Sequence, residues 1–233
     1  MRIGLFDSGV GGLTVLNSFL KYHPNNEYFY YGDTLNMPYG DKSIQELYEY
    51  SKKIIDYLYS KNVDIIVIAC GTVSANLYDI LKKEVKVPIY SVMSELNNYF
   101  KEQKFNKTLV LATTKTIDSH VFKKIVEKEV IEVACPKLVP LIESNNIEMV
   151  DKVLDEYIPQ NIDFDSLVLG CTHYPIIKEL IMNKINKNVK IIDMGEILAK
   201  RIKTQDSFKK VDLYFSKRTE ELNKNVNNIL KNM

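Results

Sequence analysis

The sequence lacks several features that mark whole classes of proteins. None of its apolar runs approaches the roughly 20 residues that a membrane-spanning helix requires. Its 31 basic residues nearly balance its 30 acidic residues, and a net charge of +1 produces no overall field that would attract a nucleic acid or a membrane surface. We therefore expect no membrane partner and no direct nucleic-acid partner, and we expect chemistry on a small molecule.

Cysteine is also scarce, and its placement limits the kinds of site. Cys70, Cys135 and Cys171 form an odd number, and the chain begins in a strand pattern without a leader-like segment, so we expect a reduced, cytoplasmic setting. No cysteine belongs to a C-x-x-C or C-x-x-H cluster, and the spacing from Cys171 to His173 is too short for ordinary zinc chelation. We therefore expect no metal site. Cys135, beside a proline in apolar surroundings, is expected to be structural.

Two stretches of the chain share one layout. Residues 63–74 and 163–175 each contain an aspartate, then a short apolar run, one small residue and a cysteine, with a threonine one or two positions after the cysteine. The two cysteines lie 101 positions apart, close to half of the 233 residues, which indicates an internal duplication. With 45% hydrophobic residues, the chain can bury the cores of two modest α/β domains.

The beginning of the chain predicts a strand over 2–6, a glycine-rich turn over 7–12 and then a helix. Backbone N–H groups at such a turn can hold an anion, so Ser8 and Gly9 are candidates to hold a carboxylate of the substrate. A dinucleotide-binding turn is disfavoured because its third glycine would fall on Thr14. Further along, the apolar spacing predicts a helix over 119–129.

Two thiols at strand ends favour one kind of chemistry. Buried cysteines are commonly structural, but a symmetric pair suits the removal of a proton from one face of a carbon atom and the return of a proton to the other face. A hydrolase would need a single nucleophile and would leave the second thiol unexplained. A free thiol is mostly protonated at neutral pH, so Cys70 and Cys171 each need help, and the available helpers are Asp7, Glu143 and His173.

Several short motifs follow one another in an order that identifies a known family. They lie at 6–15, 31–34, 38–40, 68–75, 112–116, 134–143, 169–175 and 192–193. With these motifs over nearly its full length, the chain closely resembles glutamate racemases, the cofactor-independent enzymes that supply D-glutamate for peptidoglycan. The resemblance implies two flavodoxin-like α/β domains with mainly parallel sheets, related by pseudo-twofold symmetry. Residues 1–92 and 206–233 would form one domain and 93–205 the other, with the active site in the cleft between them.

The resemblance also implies roles for individual residues. Cys70 would take the α-proton from D-glutamate and Cys171 from L-glutamate, with Asp7 assisting Cys70, and with His173, supported by Glu143, assisting Cys171. The residues implied to line the substrate pocket are Ser8, Pro38, Tyr39, Gly40, Gly71, Thr72, Thr113, Thr116 and Thr172. The family needs no cofactor and commonly forms dimers, so we expect glutamate as the small-molecule partner, no cofactor and a homodimer.

One position departs from the family pattern. Gly71 stands where the family has an asparagine that contacts the substrate. Losing such a hydrogen bond costs roughly 1.5–3 kcal/mol, and a glycine is expected to enlarge the pocket and loosen the turn beside Cys70. Two alternatives therefore stay open: a racemase or epimerase for aspartate or a larger diacid, and a non-catalytic regulatory relative that keeps the fold.

Overall fold

Five parallel strands form the first sheet of the computed structural model, which describes residues 1–231. They are β1 (Arg2–Asp7), β2 (Glu27–Gly32), β3 (Ile65–Ile68), β4 (Ile89–Ser91) and, from the far end of the chain, β9 (Lys210–Phe215). Their order across the sheet is β4-β3-β1-β2-β9. Strands such as β3, whose four residues are all buried, read as unbroken apolar runs because helices cover both faces of a parallel sheet.

Four helices belong to this half of the chain: α1 (Gly12–Tyr22), α2 (Ile44–Ser60), α3 (Gly71–Glu84) and α11 (Glu220–Lys231). Helix α2 shows how local sequence sets a helix start. Ser43 Oγ accepts a hydrogen bond from the backbone N–H of Glu46, and Glu46 Oε2 accepts one from the backbone N–H of Ser43. This capping box satisfies two backbone donors that would otherwise lack partners at the helix start.

The second sheet contains four parallel strands. They are β5 (Lys107–Ala112), β6 (Glu129–Ala134), β7 (Ser166–Leu169) and β8 (Lys190–Asp193), and their order is β6-β5-β7-β8. The helices that accompany them are α4 (Leu96–Glu102), α5 (Thr114–Asp118), α6 (Val121–Ile125), α7 (Leu138–Glu143), α8 (Ile147–Tyr157), α9 (Lys178–Asn183) and α10 (Met194–Arg201).

The two sheets repeat one topology. If β5, β6, β7 and β8 are matched to β1, β2, β3 and β4, both sheets have the same strand order, and β9 is an addition at the edge of the first. The predicted fold class, two α/β units with mainly parallel sheets that arose by duplication, is therefore confirmed. Within residues 1–231, no helix combines the length and the apolar character needed to cross a membrane.

A shared apolar core joins the two halves. The largest buried cluster contains Ile3 and Leu5 of β1 together with Val110 of β5 and Val168 of β7, and α1 packs against α10 across the boundary. Two further clusters lie on the outer faces of the two sheets. The carboxyl ends of the sheets are therefore held in a fixed relation to each other by packed side chains.

The prediction of a helix over 119–129 is wrong. Helix α5 ends at Asp118, the short helix α6 stops at Ile125, and β6 already begins at Glu129. His120 separates the two helices because its backbone has φ of 50°, in the left-handed region that interrupts a right-handed helix.

Candidate active site

A cavity lies between the carboxyl ends of the two sheets. Four strands each end within two residues of a side chain in the cavity wall: β1 before Ser8, β3 before Cys70, β5 before Thr113 and β7 before Cys171. The cavity has a volume of about 50 Å³. Because one water needs roughly 10–15 Å³ by this measure, the space admits a few water-sized groups. Ligands of open α/β sheets bind at such strand ends.

Most of the residues predicted to form the site line this cavity: Ser8, Pro38, Tyr39, Gly40, Cys70, Gly71, Thr72, Thr113, Cys171, Thr172 and His173. Asp7, Thr116 and Glu143 do not lie in its wall. Thr116 is fully buried, and its hydroxyl is 2.9 Å from the hydroxyl of Thr113, so it supports a wall residue.

Several wall residues were not predicted: Met37, Asp41, Thr114, Cys135, Pro136, Val139, Pro140 and Gly170. Each is a sequence neighbour of a matched motif or lies within one, and that proximity was the available signal. Cys135 was expected to be structural. Its thiol donates to the carbonyl oxygen of Val133 at 3.5 Å, and burial raises the pKa of the thiol to about 12.

The Cys70 thiol is held in its protonated form. Cys70 is 4% exposed and immediately precedes α3, and its Sγ lies 4.0 Å from Ser8 Oγ. Burial raises the pKa of this thiol, and the negative charge of Asp7 raises it further, against the opposing effect of backbone N–H groups of Val73 and Thr72. In the resting protein Cys70 therefore keeps its proton.

Cys171 has different surroundings, because its side chain contacts His173, which in turn contacts Glu143. Its Sγ is 3.7 Å from His173 Nδ1, and His173 Nε2 is 2.6 Å from Glu143 Oε1. Burial alone would lower the pKa of His173, which is 2% exposed, but its hydrogen bonds to Cys171 and Glu143 and their negative charges raise that pKa well above its usual value. A protonated imidazole in this position donates from Nδ1 to the sulfur of Cys171 and from Nε2 to Glu143.

Helix α11 contributes to the position of Glu143. The side-chain amide of Asn225 donates to the backbone carbonyl oxygen of Glu143 at 2.7 Å. This bond ties the end of α7 to the last helix of the other half.

Asp7 occupies the glycine-rich turn with its own carboxylate. Its Oδ2 accepts hydrogen bonds from the backbone N–H groups of Gly9 at 3.1 Å and Gly12 at 3.0 Å, and its Oδ1 accepts one from Thr172 Oγ1 at 3.2 Å. The turn does hold an anion, as the glycines indicated, but the expectation that Gly9 donates to a substrate carboxylate is wrong. Asp7 instead joins the end of β1 to the residue after Cys171.

Tyr39 is fixed in the cavity wall by a buried carboxylate. Its hydroxyl donates to Asp33 Oδ2 at 2.6 Å, and Asp33 also accepts hydrogen bonds from Asn36 and from Ser216 at the end of β9. Tyr39 is 1% exposed, and burial together with Asp33 raises the pKa of its hydroxyl. The loop after β2 is therefore held in one conformation.

Comparison with known proteins decides the family. The family model described as Asp/Glu/Hydantoin racemase matches residues 20–202, more than half of the chain. The chain belongs to this racemase family. The glutamate racemase of Aquifex aeolicus (strain VF5) is 36% identical, over 99% of this chain and 94% of that relative.

Solved structures agree with this assignment. The glutamate racemase of Francisella tularensis, in complex with D-glutamate, superimposes with a TM-score of 0.87 at 30% identity, over 99% of this chain and 93% of that one. The isoform RacE1 of Bacillus anthracis gives a TM-score of 0.91 at 26% identity, over 99% and 94%.

Gly71, the departure from the pattern of this racemase family, is in contact with the opposite half. A Cβ atom built on Gly71 would lie 2.7 Å from the carbonyl oxygen of Gly170, the residue before Cys171. The expectation that Gly71 enlarges the pocket is therefore wrong, because backbone of the other half already occupies the space that a side chain would need. Hydroxyl groups of Thr72 and Thr113 meet nearby at 3.0 Å.

In this family member, no group of three or more His, Cys, Asp or Glu residues within 1–231 is arranged to hold a metal ion. None of the described residues that line the cavity is Lys or Arg.

Proposed function

We propose that the protein interconverts L- and D-glutamate without a cofactor, by proton transfer between the substrate and two thiols, and that it supplies D-glutamate for peptidoglycan. The observation that carries this proposal is the pair Cys70 and Cys171, which line one cavity from opposite halves of a duplicated fold in different electrostatic surroundings. Family membership and relatives named glutamate racemase over nearly the whole chain support the same function.

The protonation states of the two thiols decide which one removes a proton from L-glutamate and which one donates a proton. His173 stabilises a thiolate at Cys171, which removes the α-proton of L-glutamate, so that the Cα–H bond breaks and an S–H bond forms. Cys70, kept protonated by burial and by Asp7, donates its proton to the opposite face of the carbanion. D-glutamate leaves with a thiol at Cys171 and a thiolate at Cys70, and the reverse sequence converts D-glutamate to L-glutamate. Atoms and electrons balance without an oxidant or a reductant.

The hydroxyl groups of the wall bind the substrate in this proposal. Ser8, Thr72 and Thr113 place neutral hydroxyl groups in the cavity wall from both halves, whereas the hydroxyl of Thr172 already donates to Asp7. Pro38, Tyr39 and Gly40 shape the wall between them, and Tyr39 is held by Asp33. Substrate bound by residues of both halves is held in one orientation between the two thiols, which proton transfer to opposite faces requires.

The test compares L-glutamate with L-aspartate and larger diacids, each incubated with the purified protein without added cofactor, with D-isomers quantified by chiral chromatography. We expect D-glutamate to form fastest, and Cys70→Ser and Cys171→Ser to abolish it. Lys83→Ala, at an exposed position of α3 away from the cavity, is the control and should keep turnover. Faster turnover of aspartate or of a larger diacid would replace glutamate as the substrate, and no turnover of any acid would favour a regulatory relative.

Three further expectations belong to this proposal. Residues 1–92 with 206–233 and residues 93–205 form the two domains, the protein acts as a homodimer, and it works in the cytoplasm. The position of β9 beside β2 supports the assignment of the last segment to the first domain. Light scattering of the purified protein tests the dimer, and a monomer at micromolar concentration would contradict it.

A further inference from the structure

Helix α7 ends at Glu143, and the turn that follows it satisfies most of the backbone carbonyl groups at that end. The N–H of Asn145 donates to Ile142 O at 3.0 Å, and the N–H of Asn146 donates to Leu141 O at 2.9 Å. With φ of 52° at Asn145, this is a common turn at the end of a helix. It supplies no donor to the carbonyl oxygen of Glu143 itself.

That donor comes from the other half of the chain. The side-chain amide of Asn225 on α11 donates to Glu143 O at 2.7 Å, and within residues 1–231 no other group donates to this oxygen. Helix α11 packs on α1, and its Leu222 and Val226 belong to the apolar core that joins the two halves. The amide is therefore held by a packed helix, and the backbone of Glu143 is fixed from outside its own half.

The carboxylate of Glu143 depends on how firmly the end of α7 is held. Its Oε1 lies 2.6 Å from His173 Nε2, but the side chain is 14% exposed. It borders a second, open cavity of about 310 Å³ between the loop after β2, α7 and the start of α11, and Asn225 lines the same cavity. Packing therefore surrounds this carboxylate on only part of its surface, and the backbone bond adds a restraint from the side of α11.

We infer that Asn225 is a positioning residue, which holds Glu143 against His173 and so makes the Cys171 side of the site depend on the docking of α11. The inference rests on the proposed racemisation, in which His173 assists Cys171. Asn225 does not line the cavity that contains the thiols, so it acts through Glu143. The loss of one neutral hydrogen bond corresponds to roughly a two- to tenfold change in rate.

The test compares Asn225→Ala and Asn225→Asp, which both remove the donor, with Asn225→Gln, which keeps an amide on a longer side chain. The matched control is Asn227→Ala, since Asn227 is an exposed asparagine of the same helix. Two quantities are measured near neutral pH: kcat/KM for L-glutamate, and the rate at which iodoacetamide alkylates each cysteine, followed by mass spectrometry of the peptides.

We expect kcat/KM and the alkylation of Cys171 to fall roughly two- to tenfold in Asn225→Ala and Asn225→Asp, because His173 then gives less support to a thiolate at Cys171. The alkylation of Cys70 should not change, since Asp7 and the start of α3 govern that thiol. Asn225→Gln should recover most of the loss, and Asn227→Ala should show none. A change confined to one thiol distinguishes positioning from a general loosening of the fold.

A double-mutant cycle with Glu143→Gln tests whether the effect passes through Glu143. Asn225→Ala should lower the alkylation of Cys171 by a smaller factor in the Glu143→Gln background than in the unchanged protein, because the carboxylate that it positions is gone. Equal factors in the two backgrounds would overturn the inference.

Three results with the single variants would overturn it as well. Unchanged alkylation of Cys171 would mean that Glu143 keeps its place without the bond. Faster alkylation of both cysteines would mean that the bond holds the cleft closed, and an equal loss in Asn227→Ala would assign the effect to the stability of α11. Alkylation needs no turnover, so it tests Asn225 even if the unchanged protein does not racemise glutamate, a result that would count against the proposed function alone.

Discussion

Replacing Glu143 with glutamine removes the negative charge that keeps His173 protonated while it preserves the size of the side chain. His173 Nε2 lies 2.6 Å from Glu143 Oε1, and the imidazole is 2% exposed, so water does not replace the lost carboxylate. A hydrogen bond between charged groups contributes roughly 1.5–3 kcal/mol, so kcat/KM should fall about ten- to a hundredfold.

The pH profile supplies the more specific signal. The pKa of His173 should fall in Glu143→Gln, and the alkaline limb of kcat/KM against pH should move to lower pH. Since L- and D-glutamate have equal free energies, kcat/KM must fall by the same factor in both directions, which gives an internal check. Formation of each isomer from the other is followed by chiral chromatography.

The matched control is Glu148→Gln, five residues further along. Glu148 pairs with Lys152 on an exposed helix face, at 2.6 Å, and exposed pairs of this kind contribute about 0–1 kcal/mol. It should leave kcat/KM and its pH profile unchanged. The reasoning would be refuted if Glu143→Gln also kept both the rate and the position of the alkaline limb.

Three other predictions concern stability. Tyr39→Phe leaves the buried carboxylate of Asp33 with one partner fewer and should lower the free energy of unfolding by about 1–3 kcal/mol in urea titrations, whereas unchanged stability would mean that the bond contributes nothing. Ser43→Ala removes the cap of α2 and should cost about 1 kcal/mol, with Ser43→Thr as the control that keeps the cap. The raised pKa of His173 should make the free energy of unfolding largest at and below about pH 6.5 and lower it as pH rises through the folded-state value, and stability that increases toward about pH 9 would contradict this.

The fold class and the location of the two thiols could be predicted because they depend on local patterns. Buried parallel strands such as 65–68 and 166–169 read as apolar runs that end at a cysteine. The repeated spacing then placed both cysteines at equivalent strand ends. The left-handed backbone of His120 could not be predicted, since its surroundings keep a helical apolar spacing.

Contacts between residues that are far apart in the sequence could not be predicted from local patterns. The glycine-rich turn indicated an anion but not that Asp7 itself would supply it. Gly71 and Gly170 are 99 positions apart, and only the packing of the two halves brings them together. The bond from Asn225 to Glu143 likewise depends on where the last helix packs against the second half.

The most direct measurement of the central claim is solvent isotope incorporation. L-glutamate is incubated with the protein in deuterium oxide, and early samples are analysed for deuterium at Cα in each isomer. In the proposed mechanism Cys171 and Cys70 act on opposite faces, so the D-glutamate formed should carry deuterium while unreacted L-glutamate keeps its protium, and Cys70→Ser or Cys171→Ser should abolish D-glutamate. D-glutamate that retains protium, or turnover that persists in either variant, would contradict proton transfer by two thiols.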